Sequence, residues 1–262
     1  MLAAAAVCPH PPLLIPAAMG AAGSADGGPG GGTELRELRA SAVAAVAALL
    51  AAEPDLLVMV GGAAASATYA GPVAGSLRPF GIPWPAGSAE WLAGSAEPAL
   101  PLSLTVGGWL LEQARHAASG GVAPGGVAPG RLQLRAVAAD MAPADCLRLG
   151  ADLARLAPRV AMLAMGDASA RKAAGQPGAA DPAAERYDGE ISAALATADP
   201  AALASLDPAL DGELMIAGRA AWQVLAGAAS GVTMRGQLRR AVAPYDVTYL
   251  VASWESMVAA PA

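Results

Sequence analysis

The chain has 262 residues, with Lys+Arg 16 against Asp+Glu 22 and a formal net charge of −6, which excludes a phosphate-tracking nucleic-acid surface built on clustered cations. A charged fraction of only 15% and a mean hydropathy of +0.44 exclude a disordered chain, and the length gives ample core for one large domain or two small ones. The abundance of alanine, with Lys172 as the one lysine, Phe80 as the one phenylalanine and no asparagine, reads as drift in a GC-rich genome, so most alanines carry no functional message.

Cys8 and Cys146 are too few for a disulfide framework or a cysteine-based zinc site, and a reduced cytoplasm is the expected compartment. Met1–Ala25 carries no charge. It lacks the basic start of a signal peptide, and Pro9, Pro11 and Pro12 break its helix. Leu56–Leu77 is also uncharged and long enough to span a bilayer, but Gly61, Gly62, Gly71, Pro72 and Gly75 fit a buried strand running into a glycine loop, so no membrane span is expected.

In chain order, Leu2–Val7 reads as a buried strand stopped by Cys-Pro-His-Pro-Pro. Residues 21–32 form a glycine-rich loop, and Thr33–Glu53 a helix with Leu35, Leu38, Ala42, Val46 and Leu49 at 3–4 spacing and Thr33 as N-cap. Leu56–Val60 is a strand ending in the Gly61-Gly62 loop. Residues 71–101 form an irregular Pro/Gly-rich excursion carrying Trp84 and Trp91. Leu102–Val106 is a strand and Gly108–Ala118 a short helix. The loop at 119–130 contains the five-residue repeat GGVAPGGVAPG. Leu132–Ala138 is a strand, Pro143–Ala157 a helix and Val160–Met165 a strand that opens into Gly166–Arg171. Pro182–Ala198 and Pro208–Ala226 are helices, with Asp199-Pro200 and Asp207-Pro208 as cap-and-start pairs. Val247–Ser253 is the last strand. Five or six strands and five helices in this order predict a single α/β domain with a mostly parallel or mixed central sheet flanked by helices.

In such sheets chemistry sits beyond the strand ends. Prolines fix the backbone around His10, which is either a pre-aimed imidazole or a loop histidine bonded to a carbonyl. His116 ends a helix, where a cation meets the negative end of the dipole. Glu213 stands in the first turns of its helix, a position the dipole favours by itself. Asp167, Ser169 and Arg171 share a strand-to-helix turn that either binds an acidic group of a small ligand or caps itself. A serine hydrolase is excluded by the lack of G-x-S-x-G, and a phosphate loop by the lack of G-x-x-x-x-G-K-[ST].

The ordered set of Cys-Pro-His-Pro-Pro after strand one, Val-Gly-Gly, Gly-Asp-x-Ser, a Glu-Leu helix start running to Trp222, and the closing Pro-Tyr-Asp-Val-Thr-Tyr-Leu-Val-Ala-Ser-Trp resembles the LigB-like superfamily, the catalytic-subunit fold of class III extradiol ring-cleavage dioxygenases. An actinobacterial branch of small members is the nearest match. It covers nearly the whole chain apart from 71–130. Active members hold Fe(II) with two histidines and a glutamate, leaving three cis positions for a catecholate and O₂, and use a further histidine as acid/base. The resemblance implies His10 and Glu213 as metal ligands, Asp167, Ser169 and Arg171 as substrate contacts, a small aromatic or acidic partner molecule, and a homodimer. It also exposes two departures. The loop expected to hold the second histidine is Gly61-Gly62-Ala63-Ala64-Ala65-Ser66, and the acid/base position is Ala170. One expectation is an iron dioxygenase with weakened or altered chemistry. The other, favoured by the departures, is a pseudoenzyme that binds a small molecule, or a protein through the tryptophan-bearing 79–98 segment.

Overall fold

The computed structural model describes residues 1–19, 31–69, 75–82, 85–86, 100–118, 131–171 and 181–257. Trp84, Trp91, Lys172, the 119–130 loop and most of the 71–101 excursion lie outside the described residues. The chain runs β1 (Leu2–Cys8), α1 (Gly31–Ala51), β2 (Leu56–Ala63), β3 (Ala67–Tyr69), β4 (Gly75–Ser76), β5 (Pro85–Ala86), α2 (Leu102–Ala118), β6 (Leu132–Ala138), α3 (Pro143–Leu153), β7 (Val160–Met165), α4 (Pro182–Thr197), α5 (Pro200–Ala204), α6 (Leu210–Leu214), α7 (Arg219–Ala229), β8 (Met234–Val242) and β9 (Tyr249–Ser256), with short 3₁₀ turns between.

Seven strands form one sheet in the order β3-β6-β2-β7-β1-β9-β8. The inner four, β6, β2, β7 and β1, are parallel, and β3, β9 and β8 add on antiparallel. The apolar runs of β1 and β7 are buried along their whole length, as expected of parallel strands covered on both faces. One face, with Val7, Val58, Val60 and Met162, packs against α3, α4, α5 and α7. The other, with Cys8, Met59, Leu163 and Met165, packs against α1 and α2. The result is a single-domain α/β fold with a mixed sheet flanked by helices.

Glycine allows α3 and α7 to cross with their backbones in close approach. A Cβ built on Gly150 of α3 would strike the Val224 carbonyl of α7, and one on Gly227 of α7 would strike the Leu147 carbonyl of α3. Backbone cannot rotate away as a side chain can. Gly227→Ala is therefore expected to destabilise the fold by about 1–3 kcal/mol through overpacking, read as a lower urea midpoint with an unchanged slope.

Several elements depart from the sequence expectation. The Leu102–Val106 strand and Gly108–Ala118 helix are one helix, α2, buried at Ser103, Leu104, Thr105, Val106 and Gly107 alike. Its alternating small polar residues face the protein: Ser103 donates to the Gly62 carbonyl (2.7 Å) and Thr105 to the Leu100 carbonyl (3.2 Å). β2 carries on through Gly61 and Gly62 to Ala63, where both glycines remain paired with β6. α1 begins at Gly31, so Thr33 lies within it. Asp199 does cap α5, accepting from the Ala201 and Ala202 amides.

The Pro208–Ala226 helix is broken into α6 and α7 by Met215 in the left-handed region (φ 53°). The break frees backbone groups for the loop after β7: the Ala170 amide donates to the Leu214 carbonyl (3.0 Å) and the Ala217 amide to the Asp167 carbonyl (3.2 Å). β8 was not predicted at all. It is the outermost strand and carries Arg235, Arg239 and Arg240 beside a bulge between Leu238 and Arg240. Arg235 pairs with Glu255, Arg239 donates to Ser253, and Arg240 pairs with Glu37. Among the described residues no helix is long and apolar enough to cross a membrane.

Candidate functional site

β1 and β7 are paired in register, Cys8 opposite Met165, and the Gly166 amide adds one more rung to the Cys8 carbonyl (3.0 Å). Two residues further on in each strand stand His10 and Asp167. Equal offsets from a common rung bring them level at the carboxyl-terminal rim of the parallel strands. The His10 amide donates to Asp167 Oδ1 (2.8 Å), and His10 Nδ1 lies 3.6 Å from the same oxygen, an ion-pair separation rather than a hydrogen bond. His10 is 8% exposed, and its Nδ1 is buried with no hydrogen-bond partner.

Burial pushes the Asp167 carboxyl above the usual carboxylate range, while the charge of His10 and the amide bond oppose the rise. Tyr249, at the start of β9, has its phenol held well above its ordinary value by burial, with the Asp167 charge adding to it. A carboxyl whose pKa is raised on folding adds stability below its unfolded pKa, and that stability is lost as pH rises through the folded value. Asp167→Asn retains an oxygen for the His10 amide but does not titrate. Its Tm relative to the parent is therefore expected to climb as pH rises from about 4 to 7, as measured by calorimetry across that range. A flat difference would contradict the assignment.

The turn bearing Asp167 is pinned from below. Asp188 of α4 accepts from the Ser169 amide (3.0 Å), the Ser169 hydroxyl (2.7 Å) and the Thr248 hydroxyl (2.6 Å). The Thr248 amide donates to the Ser169 carbonyl (2.8 Å) and the Ala168 amide to the Thr248 carbonyl (3.0 Å). Gly166 and Gly218 pack against each other and the Trp222 indole: a Cβ at Gly218 would collide with the ring, and one at Gly166 with the Gly218 Cα. Trp222 is fully buried and its Nε1 has no hydrogen-bond partner.

The expected site residues are thus distributed unevenly. His10 and Asp167 meet. Ser169 is fully buried, and its hydroxyl is engaged by Asp188 inside the protein. Arg171 is exposed at the end of its described stretch. Glu213 is exposed on the one-turn α6, beside Leu214. His116 lies in the last turn of α2. Asp188, Thr248, Tyr249 and Trp222 were not singled out as site residues by the sequence. Asp188 did leave a signal, a carboxylate within the buried stripe Ala184, Asp188, Ile191, Leu195.

Iron would need three converging donors. Among the described residues no group of three or more His, Cys, Asp and Glu side chains could hold a metal ion. A Cβ on Gly61 would collide with Ser103, so that position admits no side chain unless Ser103 is displaced, and one on Gly62 would sit a tight 3.1 Å from the Ala217 carbonyl. Ala64, Ala65 and Ser66 are exposed, and the Ser66 hydroxyl accepts from the Ala138 amide (2.9 Å). The residues present do not fit a two-histidine, one-carboxylate triad.

Fold and rim together define the class as an α/β protein with a histidine–aspartate pair beyond two parallel strands. Among solved structures the chain is similar to an uncharacterized protein, JW3007, from Escherichia coli K12, at 12% identity and a TM-score of 0.54, covering 97% of this chain and 99% of that one. This likeness shows the fold alone. No family model matches the chain, and no curated protein matches it significantly.

Proposed function

We propose that this chain is a LigB-like pseudoenzyme whose His10–Asp167 rim binds a small hydroxylated aromatic molecule without opening its ring. The observation that carries the reading is the packing of Gly61 on Ser103 at the start of the loop where the family resemblance expects a second metal-binding histidine, a loop that runs on through Gly62 to the exposed Ala64, Ala65 and Ser66 without an imidazole. Ala170 likewise supplies no proton-transfer group where that resemblance expects one, and such a loss typically costs about 10²–10⁴ in rate.

The remaining pair still has binding chemistry. The Asp167 carboxylate beside Nδ1 favours the tautomer that carries its proton there, which leaves Nε2 as the hydrogen-bond acceptor. A phenolic hydroxyl can donate to that nitrogen. An acidic ligand is disfavoured, because Asp167 and Tyr249 offer it no compensating cation at the rim. The buried Trp222 indole under the Asp167 turn serves as a reporter.

The test combines three measurements. Protein purified without chelator is analysed for iron, then mixed anaerobically with Fe(II) and catechol and exposed to air, and titrated separately with catechol and benzoate while tryptophan fluorescence is followed. The expected result is substoichiometric iron, no yellow ring-opened product, and saturable quenching by catechol but not benzoate that is lost in His10→Ala. Stoichiometric iron with yellow product would establish the dioxygenase reading instead. Quenching that survives His10→Ala, or none at all, would remove the rim as the binding site.

A further inference from the structure

A separate cleft of about 440 Å³ opens on the α1 face of the sheet, between the last turns of α1 and the β8–β9 ladder. Small residues make room for it: Ala4 of β1 and Ala48 of α1 line it, and their methyl groups fill little of the gap. Ala4 is paired with Glu255 and stands six residues before His10, so the cleft lies about 20 Å along the strand from the rim. The polar lining comes from β8 and β9, as Arg235, Gln237, Arg239, Ser253 and Glu255. Arg235 stands opposite Glu255, and Gln237 opposite Ser253. Residues paired in this way share one face of the sheet.

Arginine on an outer strand would by itself be only a solvated charge. The arginines of β8 are not alike, however. Arg235 pairs with Glu255 and Arg240 with Glu37, whereas Arg239 has no carboxylate partner among the described residues. Its Nε donates to Ser253 Oγ (2.6 Å), and its two Nη groups have no acceptor among the described residues. Ser253 receives that bond and gives its own hydroxyl hydrogen to no group among the described residues. A second observation places the Arg239 guanidinium over the sheet. Burial pushes the Cys8 thiol, inside the core on this face, up to about 12, and the Arg239 charge opposes the rise. The unspent groups on Arg239 and Ser253 are donors, Gln237 adds an exposed amide, and the one carboxylate in the cleft is already matched by Arg235. A ligand that satisfies them accepts several hydrogen bonds and carries negative charge. A carboxylate is used up by one arginine fork. A phosphoryl group fills the same fork and keeps a further oxygen for the Ser253 hydroxyl.

We infer that this cleft binds a phosphoryl group, free or carried on a small molecule, with two oxygens on the Arg239 Nη groups, a third accepting from the Ser253 hydroxyl, and Gln237 beside them. The remaining volume, along Ala48 and Leu49, holds the body of a small phosphate ester. The site shares no residue with the His10–Asp167 rim and does not depend on the function proposed for it.

The probes are inorganic phosphate and glycerol 3-phosphate, titrated calorimetrically into the full chain at neutral pH and constant ionic strength set with NaCl, with acetate for comparison. The expected result is saturable one-to-one binding of phosphate, at least about tenfold tighter than acetate, and weakened about tenfold in Arg239→Gln and about threefold in Ser253→Ala. Arg239→Lys keeps the charge without the fork and should recover only part of the loss. Arg239 and Ser253 share a single hydrogen bond within the described chain, so the unliganded variants should melt within about 4 °C of the parent. Glycerol 3-phosphate binding at least as tightly as phosphate identifies an ester as the occupant, and binding of inorganic phosphate alone identifies the free ion; both uphold the phosphoryl site. The proposal is overturned if acetate binds as well as phosphate, or if Arg239→Gln keeps the parent affinity. It is overturned equally if Arg239→Lys matches the parent, which would mark diffuse attraction to charge, or if no saturable heat appears at millimolar phosphate.

Discussion

Arg219→Ala is expected to lower folding stability by about 3–5 kcal/mol, the range for breaking a buried charged network from one side. Arg219 is 1% exposed at the start of α7. Its Nε donates to Asp211 Oδ2 (2.5 Å), and Nη1 donates to the Met141 carbonyl (3.0 Å) and to Gln223 Oε1 (2.8 Å). Nη2 donates to the Ala139 carbonyl. One side chain thus ties α6, α7 and the turn before α3 together. Its removal strands several acceptors and leaves Asp211, already raised by burial and held down chiefly by Arg219, without a counter-charge. The Asp211 carboxyl then rises further, so the variant loses most at neutral pH and recovers part of the loss as acid protonates Asp211. Urea unfolding at pH 7 and at about pH 4.5 reads both. A loss below about 1 kcal/mol at neutral pH would mean the network behaves like a solvated surface pair.

Asp188→Ala is expected to cost about 3 kcal/mol, roughly 1 kcal/mol or more for each of three buried donors left without an acceptor. Its distinctive consequence lies at the rim, which Asp188 does not touch. With Ser169 and Thr248 released, the turn that holds Asp167 level with His10 loses its anchor, and catechol quenching should weaken well before the protein unfolds. Asp188→Asn keeps an acceptor for the Ser169 amide and should recover part of both. Chemical denaturation and quenching, followed in parallel, separate the two effects. A variant that loses stability but binds catechol as the parent does would show that the turn holds itself.

What the sequence makes legible here depends on whether local pattern or distant contact decides the structure. β1, β2 and β7 are readable because buried parallel strands need continuous apolar runs, and these segments have them. α2 misleads because Leu102-Ser103-Leu104-Thr105-Val106 alternates like a strand, while its polar members are buried against Gly62 and Leu100 and mark no solvent face. β8 is invisible to a hydrophobic pattern because an outer strand rich in arginine has little apolar signal. The break at Met215 is dictated by the loop after β7, which claims the Leu214 carbonyl and the Ala217 amide. At the site, proline around His10 and the Gly-Asp turn flag the two residues singly. Their meeting depends on the common rung between Cys8 and Met165, a tertiary fact with no local trace.

The arginines of β8 have a consequence for how molecules of this protein behave together. A long outer strand offers free backbone groups on which another chain could extend the sheet, the first step toward fibrillar association. Three cationic side chains and a bulge make that outer flank a poor template, and the opposite flank, β3, is only three residues long. Exchanging Arg239 and Arg240 for threonines would therefore convert a charge-guarded border into an adhesive one, with turbidity rather than melting temperature as the property that changes first.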